Sequence, residues 1–168
     1  MFKLTKEETV DLCMELYLKG YNCGEATITA MVHSLGIETD LFPRGGTAFG
    51  GGFGGEHLHQ CGVISSGILA TGFAFGRNNP VEESRERAYT LATLYYNDFK
   101  DKFKCVNCHE LVGLPAAAGD AWNIPYKAQN KRQERCEHFV RYGVGRWYEL
   151  AQEVLEGRRL DYYTDGQS

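Results

Sequence analysis

Cysteine is the residue whose number and placement in this chain could do chemistry, with thiols at Cys13, Cys23, Cys61, Cys105, Cys108 and Cys136. In a reducing compartment such thiols seldom become structural disulfides, so they hold a metal, react, or pack. A 168-residue chain with 43% hydrophobic residues can bury a core without disulfides, so its cysteines are not needed to stabilise a small fold. Cys23 and Cys61 are each followed by glycine (Gly24, Gly62), and each falls near the expected start of a helix. Unpaired N–H groups and the positive dipole end of a helix stabilise a thiolate, which predicts a lowered pKa at both positions. The glycine removes a Cβ that would crowd a metal, a second sulfur or a substrate. The plainer alternative is that both are small buried hydrophobes.

The elements that must position these thiols read as helices. Thr5 stands three residues before Glu8 in capping-box spacing, and Val10, Cys13, Met14, Leu16 and Tyr17 recur at helical intervals until Gly20. Cys13 belongs to that buried stripe. After Gly20-Tyr21-Asn22, a second helix should carry Cys23 in its first turn and close at Gly36. Glycines crowd positions 45–55, with Phe49 and Phe53 as aromatic anchors, giving either a mobile loop or an ordered one that lines a site. No Gly-Lys-Ser/Thr follows, so the stretch does not read as a phosphate-binding loop.

From Cys61 to Phe75 small residues alternate with large ones. This allows close approach of a neighbouring helix or a cofactor, at a glycine cost that tertiary contacts must offset. Asn79-Pro80 predicts the start of a long helix bearing Leu91, Tyr95, Phe99 and Phe103 on one face. Residues 105–113 read as a turn or short helix, 114–126 as a connection, and the segment from 128 as one broken helix or two helices around Gly143 and Gly145. The polar end, 157–168, reads as a tail. No alternating strand pattern emerges, so the expectation is a mainly α, single domain over 1–168, with about five to seven helices and a glycine-rich loop.

Composition narrows the partners. A net charge of −4, a pI near 5.7 and no run of Lys or Arg argue against nucleic acid. The amino terminus has charges scattered among its apolar residues and reads as mature protein, so a cytoplasmic location is expected. No stretch approaches the roughly 20 apolar residues of a membrane span. The 10 tyrosines and 9 phenylalanines read as core and interface material and leave room for a homodimer.

Gly20-Tyr21-Asn22-Cys23, the glycine-rich stretch ending in Cys61-Gly62, Cys108-His109-Glu110-Leu111 and then Cys136 resemble the redox-active protein family named for its C_GCAxxG_C_C cysteine pattern. The resemblance spans roughly residues 10–140. The chain departs at the central motif, with Val63 read in place of alanine and Ser66 in place of the last glycine. The resemblance implies a helical domain whose four characteristic cysteines are Cys23, Cys61, Cys108 and Cys136. The family is similar to a domain of split-Soret cytochromes c, which implies electron transfer by analogy.

Four thiolates suit an iron–sulfur cluster and, by count, structural zinc. Zinc sites usually draw on close pairs and only Cys105-x-x-Cys108 forms one here, so the cluster is preferred. The same residues allow a metal-free thiol/disulfide oxidoreductase, given two cysteines about 4.4–6.8 Å apart, Cα to Cα. Zinc would instead make the chain a non-catalytic binding or interaction module. A redox partner protein follows from either redox reading.

Cys105-x-x-Cys108-His109 also has the form of a c-type haem attachment motif, with two thioether links and one axial histidine. Haem c is attached outside the cytoplasm and Cys108 already belongs to the four-cysteine set, so a Cys-x-x-Cys metal or redox pair is preferred. His57 and His59 flank Leu58 close enough to Cys61 to supply a ligand, a proton donor or a base, although loop histidines are more often solvated. His33, in an apolar helix, reads as a packing residue. Glu25 and Glu56 stand near the site without a visible partner.

Overall fold

The computed structural model of the protein describes residues 2–80, 85–114 and 131–159. Among these the chain forms six α-helices and one 3₁₀ helix, and no strand. Helix α1 (Lys6–Leu18) opens with the expected capping box, in which Thr5 accepts from the Glu8 N–H and Glu8 accepts from the Thr5 N–H. Helix α2 (Cys23–Ser34) opens with a second one, built by Asn22 and Glu25. The 3₁₀ helix spans Arg44–Phe49, α3 spans Gly62–Phe75, α4 Glu86–Phe103, α5 Cys108–Leu111 and α6 Lys131–Leu155.

Helices α2 and α3 sit at the centre. Helix α2 packs on α1, α3 and the 3₁₀ helix, while α6 lies across α1, α3 and α4. Most of α2 and α3 is buried, including Ala26, Ile28, Ala30, Met31, Val63, Ile64, Gly67 and Ala70. The small residues of α3 are what let its neighbours close in. Ser66 donates to the Gly24 carbonyl of α2 at 2.9 Å, Tyr95 OH of α4 donates to the Val63 carbonyl at 3.1 Å, and Trp147 of α6 donates to Thr71 at 3.0 Å. Buried hydrogen bonds between four helices fix their register, because each polar group would be costly to leave unpaired.

Two helix expectations are corrected. The segment from 131 is one unbroken 25-residue helix despite Gly143 and Gly145. A Cβ at Gly143 would overlap Val63 Cγ1 and come within 3.0 Å of Tyr95 OH, so glycine is needed there to seat α6 against α3 and α4. Tertiary packing outweighs its poor helix propensity. Helix α4 begins at Glu86 rather than at Pro80: Asn79 and Pro80 are not helical, and 81–84 fall outside the described residues. Arg85, Glu86, Arg87 and Tyr89 are exposed and burial starts at Thr90, so the first residues of α4 add little to the core. The expected connection falls largely outside the described residues, and so does most of the expected tail. No helix among the described residues is long and apolar enough to cross a membrane.

Candidate functional site

Four of the six cysteines stand at or near the starts of α2, α3, α5 and α6. Cys23 is the first residue of α2, Cys61 caps α3, Cys108 begins α5, and Cys136 lies in the second turn of α6. Cys61 and Cys108 are buried, and Cys23 and Cys136 half-buried. The charges of Cys23, Cys108 and Cys136 all act on the Cys61 thiol, and those of Cys23 and Cys136 act on Cys108.

Backbone pairing sets the position of two of these thiols. The Cys61 N–H donates to Val106 O at 2.8 Å, Cys108 N–H to His59 O at 2.8 Å and His109 N–H to His57 O at 2.8 Å, around a single antiparallel bridge between Gln60 and Asn107. This short ladder holds the residues just before α3 against those that open α5. Glycines then bring other backbones close. A Cβ at Gly62 would lie 2.6 Å from Phe49 O and 2.9 Å from Cys23 Sγ, and one at Gly52 would lie 2.7 Å from Cys108 Cβ. The glycine-rich stretch is therefore an ordered wall of the cysteine site. Five consecutive residues in it, 51–55, have positive φ, Phe53 among them at 65°. Left-handed backbone costs a residue with a side chain about 1–2 kcal/mol. That strain sits beside the cysteines, where such conformations concentrate.

The expected lowering of thiol pKa at helix starts is corrected for Cys61. The Val63 N–H does act to lower it, but burial and then the charges of Cys23 and Cys108 outweigh that one donor and push the thiol well above its usual range. Burial, followed by the charges of Cys23 and Cys136, raises Cys108 as well. Without a counter-charge these thiols stay protonated at neutral pH.

The remaining candidates divide. Cys105 is half-buried, its thiol donates to Phe103 O at 3.4 Å, and its pKa is raised by burial and then by Glu110. Cys105 and Cys108 of the Cys-x-x-Cys-His motif thus have different partners. His109 donates from Nδ1 to the His57 carbonyl at 3.2 Å, with Nε2 3.8 Å from Glu110. Cys13 is core, 4.0 Å from Thr27 Oγ1.

His57 departs from the solvated histidine the sequence favoured. It is only 6% exposed and places Nδ1 3.2 Å from Cys108 Sγ, whereas His59 is exposed and stacks on Phe53. His33 is exposed rather than packed. Glu25 has a partner after all, closing the α2 capping box and accepting from Thr47 at 2.6 Å. Among the described residues, no three His, Cys, Asp or Glu side chains form a ready-made cage for a single metal ion.

A helical framework in which three further cysteines act on the buried Cys61 thiol defines a multi-cysteine protein. Residues 21–150 match the model of the family described as "Putative redox-active protein (C_GCAxxG_C_C)", and the chain belongs to that family. The comparisons with curated proteins and with solved structures gave no match.

Proposed function

We propose that the chain is an electron-transfer protein in which Cys23, Cys61, Cys108 and Cys136 hold an iron–sulfur cluster. The observation that carries this reading is the crowding at Cys61, a buried thiol at the start of α3 whose N–H pairs with Val106 O at 2.8 Å beside Cys108, while Cys23 Sγ lies 2.9 Å from the Cβ position of the adjoining Gly62. Four thiolates in that space would repel one another and be poorly solvated, so they need a cationic centre, and soft sulfur selects iron–sulfur units. A cluster spans more space than one ion, so the four sulfurs need not meet at the roughly 3.8 Å edge that tetrahedral zinc imposes. When bound, the cluster supplies a one-electron couple. The chain supplies four sulfur ligands, and glycine backbone at 52 and 62 that lets the ligand segments close in.

A metal-free dithiol couple is the second reading. It is favoured by Cys23 Sγ lying 2.9 Å from the Cβ position of Gly62, beside the Cys61 backbone.

Anaerobic purification followed by iron and acid-labile sulfide analysis separates the two. Iron and sulfide in similar amounts with broad visible absorption support the cluster. A colourless, metal-free chain that loses two thiols to mild oxidant supports the dithiol couple. Zinc as the sole metal would sink both.

A further inference from the structure

We propose that His57 donates a hydrogen bond from Nδ1–H to the Cys108 sulfur and through it makes the site easier to reduce. This deepens the cluster reading and rests on it for the direction of the hydrogen bond and for the redox consequence, though not for the close approach of the two side chains. Three observations support it. The ring is buried and its Nδ1 stands 3.2 Å from Cys108 Sγ. The residue is held at φ 63°, in the left-handed region that side chains rarely adopt. That conformation is tied down on both sides: its N–H donates to Gly51 O at 2.7 Å, and its carbonyl accepts from His109 N–H at 2.8 Å and from His109 Nδ1 at 3.2 Å. A strained backbone fixed at both ends is what aiming one ring nitrogen requires.

The surroundings make room for the ring. A Cβ at Gly51 would come within 3.2 Å of His57 Cε1 and 3.3 Å of Nε2, so glycine there leaves room for that edge of the imidazole. The same ladder that pairs Cys108 N–H with His59 O holds His57 opposite Cys108. A ligating cysteine is a thiolate and can only accept, so Nδ1 must carry the proton. Hydrogen bonds to cluster sulfurs favour the more negative, reduced state and raise the potential. His57 therefore acts as a positioning and tuning residue that holds no iron itself.

The test compares two variants of the loaded full chain. His57→Gly suits the positive φ and removes the donor. His57→Asn tolerates the same backbone and puts an amide nitrogen at the δ position. A tenfold shift of the one-electron equilibrium toward the oxidised form is expected in His57→Gly, a fall of about 59 mV in potential. His57→Asn should recover most of it, with iron content unchanged in both. An unmoved potential in a fully loaded His57→Gly protein would overturn the proposal.

If the purified wild-type chain holds no iron, the cluster reading fails while the contact can still be read by nitrogen NMR of the metal-free chain. Cys108→Ala should then shift the His57 ring nitrogens and Cys105→Ala should leave them. Ring resonances indifferent to Cys108→Ala would overturn the contact.

Discussion

Replacing Gly62 with alanine tests whether close backbone approach builds the site. The new Cβ would stand 2.6 Å from the Phe49 carbonyl oxygen, 2.9 Å from Cys23 Sγ and 3.2 Å from the Gly24 nitrogen. Two of these atoms are backbone, held in the 3₁₀ helix and in the first turn of α2, so the Cys23 side chain is the neighbour most able to yield. Alanine gains up to about 1 kcal/mol of helix propensity, and overpacking a tight interior costs about 1–3 kcal/mol. The net expectation is a loss of about 1–2 kcal/mol together with displacement of Cys23 away from Cys61.

Gly72 supplies the control within the same helix. A Cβ there meets nothing within 4 Å, so Gly72→Ala should stabilise the protein by about 1 kcal/mol. Urea unfolding of the metal-free protein reads the stability, and iron per chain after anaerobic loading reads the site. A Gly62→Ala protein as stable as wild type and holding as much iron would refute the reasoning.

Other expectations follow from single contacts. Asn22→Ala removes the cap on the helix that begins with Cys23 and should cost about 1 kcal/mol in thermal or urea unfolding. Gly143→Ala, which would press on Val63, should destabilise by about 1–3 kcal/mol although it improves helix propensity; a gain in stability would contradict the packing described for α6. Burial raises the Cys13 thiol from 9.0 to about 12, so the unfolded chain loses that proton first. Its stabilising contribution is complete below pH 9 and declines as pH rises toward 12, by at most about 4 kcal/mol. Urea midpoints of the metal-free protein across that range should fall less steeply in Cys13→Ala than in wild type. Equal slopes would count against Cys13 as the titrating group.

The helices were legible in the sequence where local signals and packing agree. Thr5 with Glu8 and the Val10, Cys13, Met14, Tyr17 stripe predict α1, and the same cap spacing stands at Asn22 and Glu25, where it identifies Glu25 as a capping residue. Gly143 was misleading because glycine in isolation reads as a helix breaker. Only the positions of Val63 and Tyr95 show that a bare backbone is needed there. The four-cysteine set was visible as a resemblance, yet spacing does not show which thiols meet, since Cys23 and Cys136 lie far apart in the chain. His57 was legible as a neighbour of Cys61 but not as a buried partner of Cys108. Its placement depends on a left-handed backbone and on pairing with 106–109, neither of which a local pattern encodes. The thiol pKa argument failed for Cys61 because a helix start promises one or two donors, whereas burial and neighbouring sulfurs are products of the whole fold.

Iron per chain across a scan of single cysteine substitutions, prepared anaerobically, tests the central claim most directly. Serine at Cys23, Cys61, Cys108 or Cys136 should lower bound iron, whereas Cys105→Ser and Cys13→Ala should keep the wild-type content. Equal iron in all six variants, or loss in Cys105→Ser with retention in Cys136→Ser, would contradict the assignment of these four cysteines to one site.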